Sequence, residues 1–209
     1  MAGNPPSSPH VARLGLPLGV KAEVVWDPDG GARRRPDGSH AERWKLRWCT
    51  AQSMGPLRLP GRLEGPVCSI GLNPSGAGDQ SGDMTLNTEW ALYGRWGRTE
   101  LVKLNLFPAI ATIPFDLVAH GSGDPAYVDY VLAEAIAAHR AGGLVIATWG
   151  GPYHPTALGR LVAERAAVVV QGLQRLDVPL HVLGLTKGQQ PRHIRGIGRD
   201  VLPQPWRPA

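Results

Sequence analysis

Val67-Cys68-Ser69-Ile70-Gly71-Leu72-Asn73-Pro74-Ser75 is the stretch that decides the fold. Val67–Leu72 is a short, nearly continuous apolar run, the pattern of a strand buried on both faces. It stops at a Pro turn with a hydrogen-bonding side chain at the stop. Two later stretches repeat the design: Glu100–Pro108, which carries Asn105 and Phe107, and Leu180–Gly188, which ends in Thr186 and Lys187. In an open α/β sheet, ligands sit outside the carboxyl ends of the strands. Three polar strand ends therefore predict one pocket lined by Asn73, Asn105 and the 186–193 loop.

Outward from these strands, the pattern reads strand–helix four times. Val67–Leu72 leads into a helix capped by Thr85 or Asn87 that stops at Gly97. Leu101–Leu106 follows, then helical stretches at Ile113–Leu117 and Pro125–Arg140. Leu144–Thr148 is the third strand, Pro155–Leu176 a helix, and Leu180–Leu185 the fourth strand. Right-handed crossovers make these strands parallel. The expected fold is an α/β three-layer sandwich with a central, mainly parallel four-stranded sheet. An N-terminal antiparallel addition comes from Val20–Trp26 and Arg43–Trp48, joined by a basic loop. Residues 1–18, rich in Pro, Gly and Ser, read as a flexible tail, and residues 19–209 as a single domain. Residues from Gly188 onward read as a polar tail.

The composition narrows the function classes. Net charge is +5 and the pI is near 9.6. Arg clusters at 33–35, at Arg43 and Arg47, and across Arg192, Arg195 and Arg199 make a nucleic acid or nucleotide partner the expectation. The competing explanation is that an Arg-rich, Ala/Gly/Pro-rich composition simply reflects a high-GC genome. Cys49 and Cys68 are the only cysteines, so a disulfide scaffold and a Cys-based zinc site are excluded. The absence of a long apolar N-terminal stretch argues against a signal peptide or a membrane anchor and for a cytoplasmic location.

The candidate chemistry lies at the strand ends. Asn73 can hold a water or read a ring edge, or it can simply make an Asn-Pro turn. Ser75–Asp83 is glycine-containing but lacks the P-loop and dinucleotide-binding spacings. Asp79 and Asp83 are its acids, and Asp83 is the candidate general base or Mg²⁺ ligand. A buried Asn105 must be hydrogen-bonded, either to the edge of a base or to the Asn73 loop. Ser75, Phe107, Trp149 and Lys187 are assigned to substrate contact, with Tyr153 and His154 beside Trp149. Arg192 and Arg195 are assigned to phosphate. His193 is the candidate donor to a developing oxyanion. No metal-ligand cluster and no cofactor motif stands out.

These motifs resemble a bacterial and phage family known as domain-of-unknown-function family 1643, over about Trp44 to Trp206. The resemblance rests on Leu72-Asn73-Pro74-Ser75, Gly94-Arg95-Trp96-Gly97, Asn105-Leu106-Phe107, Ala147-Thr148-Trp149-Gly150, and Leu183–His193. The chain departs from the family in three places. Asp83-Met84-Thr85-Leu86-Asn87-Thr88 lacks the family's pair of Arg, Val128-Asp129 replaces Asn-Asp, and Ile194 replaces Pro. More distantly, the motif order is similar to the uracil-DNA glycosylase superfamily. That similarity implies a water held by Asn73, a base read by Asn105, and a leaving base stabilised by His193 or Lys187. The His-Pro-Ser loop of many glycosylases is absent. The implied activity is hydrolysis of a base–sugar bond. The alternatives are a non-catalytic nucleotide or nucleic-acid binding module, or a Mg²⁺-dependent hydrolase or transferase that uses Asp83.

Overall fold

A computed structural model of the chain describes residues 14–26, 42–50, 65–75, 81–111, 113–120, 125–151 and 156–208. Its elements are β1 (Leu14–Gly15), β2 (Val20–Val25), β3 (Lys45–Thr50), β4 (Val67–Gly71), β5 (Ser81–Gly82), α1 (Met84–Arg95), β6 (Glu100–Asn105), a 3-10 turn (Pro114–Asp116), α2 (Leu117–His120), α3 (Pro125–Arg140), β7 (Leu144–Ala147), α4 (Ala157–Arg175), β8 (Leu180–Val182) and β9 (Gln204–Pro205). The architecture is α/β. The expected parallel core is present as β6-β4-β7-β8. It sits inside a seven-stranded mixed sheet of order β2-β3-β6-β4-β7-β8-β9, so the four-stranded expectation was too small.

The extra strands extend the sheet on both sides. The hairpin β2–β3 joins antiparallel to β6, and β9 adds antiparallel to β8. β9 has only two residues, one of them Pro, so it carries no alternation by which to recognise it. Leu14–Gly15, within the stretch read as tail, pairs antiparallel with Ser81–Gly82. Residues 1–13 and the basic loop with its three Arg lie outside the described residues.

Period-two alternation places the two layers of helix. Cys68 and Ile70 face α3 and α4, in one core with Leu104, Val145, Val131, Ala135 and Val162. Val67 on the other face packs with Leu101, Ile146, Trp48 and the α1 residues Leu86, Leu92 and Tyr93. α3 and α4 approach closely because Gly172 has no side chain. A Cβ there would stand 2.6 Å from Leu132 Cδ1. The α1 cap is Asp83, not Thr85 or Asn87: its Oδ1 accepts from Leu86 N–H at 2.8 Å. Thr156 caps α4 in the same way. Among the described residues no helix is long and apolar enough to cross a membrane.

Candidate functional site

The parallel strands end level with one another. Leu106 and Phe107 N–H donate to the carbonyls of Gly71 and Leu72 at 2.8 and 3.0 Å, and Thr148 N–H donates to Ile70 O at 2.8 Å. Beyond these ends lies a cavity of about 130 Å³ lined by Arg43, Asn73, Ser75, Asp83, Lys103, Asn105, Pro114 and His193, among others. At about 30 Å³ per water, it holds a few waters or one small planar ring. Five of the residues singled out in the sequence therefore meet here: Asn73, Ser75, Asp83, Asn105 and His193.

Their hydrogen bonds decide what each can offer. Asn73 donates from Nδ2 to Ala111 O at 2.7 Å and to Pro74 O at 3.1 Å, so its nitrogen anchors the loop. The Asn105 amide, in the orientation that satisfies its surroundings, donates to Asn73 O at 3.2 Å and Leu104 O at 3.1 Å, and its oxygen faces donors. Both amides thus spend their N–H groups on backbone carbonyls. Asp83 uses one oxygen as the α1 cap and accepts from Ser75 Oγ with the other.

His193 is the donor of the set. Its Nδ1 accepts from Arg195 N–H at 3.1 Å, which assigns the ring hydrogen to Nε2. Burial, reinforced by the positive charge of Lys103, lowers its pKa below the ordinary 6.5. Glu89 and Asp83 oppose that shift. The imidazole is therefore mainly neutral at pH 7. Arg43 is buried, and loss of solvent brings its pKa down to about 10 against the opposing pull of Asp83. It still carries its charge at neutral pH.

The cavity floor contains a buried polar network that the sequence reading left unassigned. Lys103 Nζ donates to Glu89 Oε1 at 2.7 Å, to Ser69 Oγ at 3.1 Å and to Thr148 Oγ1 at 3.2 Å. Ser69 Oγ also donates to Glu89 Oε1 at 2.7 Å, and Glu89 is completely buried. Ser69 and Lys103 are register partners on adjacent parallel strands, so their side chains share a face. Gly71 makes room for both polar groups. A Cβ there would lie 2.8 Å from the Asn105 amide and 2.9 Å from Lys103 Nζ. Glu89 had a legible signal: it falls between Leu86 and Leu92 at helical spacing, on the inward face of α1. Arg43 was noted only as part of an Arg cluster; its place in this cavity, far away in sequence, had no local signal.

The remaining candidates fall elsewhere. Trp149 is fully buried, 5.8 Å edge-on from Trp206, so it is core and not a stacking wall. Phe107 is buried on the α4 side, where Arg165 lies 5.6 Å from its ring centroid. Lys187, Arg192 and Arg195 are exposed and do not line the cavity, which settles Lys187 against His193 as the residue facing it. Arg47 is committed to Glu100 at 2.7 Å and Glu23 at 3.1 Å, not to a basic patch. Asp79, Tyr153 and His154 lie outside the described residues.

Fold and site define an α/β protein with a small polar cavity at the carboxyl ends of a parallel core. The chain belongs to the family of proteins of unknown function DUF1643, whose pattern it matches over residues 47–193. The match takes in Asn73, Glu89, Lys103, Asn105 and His193 and leaves Arg43 outside. Neither the curated proteins nor the solved structures include a match to the chain.

Proposed function

We propose that this protein is a nucleobase-recognising N-glycosidase that hydrolyses the base–sugar bond of a damaged or modified nucleotide. One observation carries the reading: a mainly neutral His193 with its hydrogen on Nε2 shares a cavity the size of one ring with Asn73 and Asn105. A ring N–H can be read by Asn105 Oδ1. Asn73 Oδ1 accepts from a water that attacks the anomeric carbon. The new C–O bond forms as the C–N bond breaks, and the bonding pair leaves with the base. His193 Nε2–H hydrogen-bonds the oxygen on which that negative charge develops. The water's proton passes to solvent, since both Asp83 oxygens are engaged. The fold likeness to uracil-DNA glycosylases is part of this proposal, supported by the motif order and the four-stranded parallel core.

A panel of DNA and free nucleosides carrying uracil, hypoxanthine, xanthine or alkylated bases tests it, with released base read by mass spectrometry. Release by the wild type that disappears in Asn73→Ala is the expected result. Binding without release from any member supports the second reading, a non-catalytic nucleotide-binding module. The engagement of both Asp83 oxygens favours that second reading, because it leaves no idle carboxylate to act as base.

A further inference from the structure

Beside the cavity runs a groove of about 380 Å³ between α1 and the turn at residues 194–199, which plays no part in the chemistry above. Both walls continue the cavity. Met84 directly follows Asp83, and Ile194 directly follows His193. The groove is lined by apolar Met84, Leu92 and Ile197, by Asn87, and by Arg95 and Arg199. Met84 is 65% exposed, an unusual position for a methionine at the rim of a polar cavity.

Charge and shape point to one kind of ligand. Arg199 is exposed on the turn and Arg95 ends α1; both line the groove, with the exposed Arg195 on the same turn outside its lining. Asp200 pairs with Arg95 at 3.2 Å. Among the described residues, the groove itself is lined by two guanidiniums, Arg95 and Arg199, and by no carboxylate, so its lining is cationic. The 12 residues of α1, at ~1.5 Å each, give a wall of about 18 Å. That exceeds the ~3.4 Å of one stacked nucleotide several-fold. A cationic groove that tracks the phosphates is one part of how single strands are held without sequence readout; here the apolar side chains Met84 and Ile197 stand where such sites place aromatic rings.

We infer that this groove is a second subsite holding the nucleotides next to the one in the cavity, so that the substrate is a nucleic-acid strand and not a free nucleotide. The inference rests on the nucleobase reading of the cavity. The target nucleotide is either already unpaired or flipped out of its duplex, since a base still in its stack cannot reach the cavity.

The test is fluorescence anisotropy of a short labelled single-stranded oligodeoxynucleotide, titrated at several salt concentrations against wild type and the surface variant Arg95→Gln/Arg199→Gln. Binding of a free base in the cavity is followed in parallel by NMR. The wild type should show log K falling with log salt by ~0.7 per phosphate contacted, and the double variant should lose about 1.4 of that slope. Its free-base binding should be unchanged. An unaltered slope and affinity in the variant overturns the groove while leaving the cavity reading intact. Equal competition by polyglutamate also overturns it, by showing a surface for any polyanion. Strand binding lost in the variant, with no base released from any substrate by the wild type, upholds the groove and removes the glycosidase reading.

Discussion

Replacing Lys103 by Met breaks the network under the cavity and should be the most damaging single change among these residues. The substitution keeps most of the side-chain volume and removes the ammonium. Glu89 then keeps a carboxylate with no cation beside it in a position with no solvent contact. Removing one partner of such a pair costs about 3–5 kcal/mol. At roughly 2–4 °C per kcal/mol for a domain of this size, Tm should fall by about 6–20 °C. The double variant Glu89→Met/Lys103→Met removes both charges. Ser69 and Thr148 remain satisfied, because their hydroxyls lie 3.0 Å apart and Thr148 Oγ1 also donates to Ile70 O at 3.2 Å. The double variant should therefore lie within about 1–2 kcal/mol of wild type. Urea melts of all four proteins, compared at constant m, close the cycle. Additive losses, or a Lys103→Met penalty below about 1 kcal/mol, would refute the description of this pair as buried and mutually compensated.

Three further outcomes follow from single contacts. Gly71→Ala should displace the Asn105 amide or Lys103, since its Cβ would sit within 3 Å of each; free-base binding measured by NMR should drop at least tenfold while the fold persists by circular dichroism. Asp83→Ala removes the α1 cap and should cost about 1 kcal/mol in a thermal melt. His193 titrates below its unfolded value of 6.5, so the unfolded chain takes up the proton first. Its contribution to stability is present above that pH, starts to fail as pH falls through 6.5, and is gone below the folded pKa. NMR titration of the ring should show the lowered midpoint.

The parallel core was legible because its strands are buried on both faces and read as apolar runs bounded by Gly and Pro. What alternation gives, it also explains where the reading failed. Thr148 points to the α1 side with Ser69 and Lys103, so the next residue, Trp149, must enter the α3/α4 core. Reading Trp149 as a pocket wall ignored that parity. Phe107 lies past a bend at Leu106, after strand pairing has ended, so its direction could not be counted from Asn105. Asn73, Asn105 and His193 were legible because each is a polar side chain just where an apolar run stops. Lys103 and Glu89 were visible as charges within buried patterns, but only their distance of 2.7 Å shows that they answer each other. β9 and Arg43 depend on long-range pairing, which no local pattern encodes.

The central claim is that the cavity cuts a base from its sugar with Asn73 and His193. It is tested most directly by single-turnover release of free base from the substrate panel by wild type, Asn73→Ala and His193→Gln. The account predicts release by the wild type and a loss of about 10²–10³-fold in His193→Gln, the size of effect seen when one oxyanion donor is removed. Release that survives both substitutions at the wild-type rate, or no release from any substrate, would contradict it.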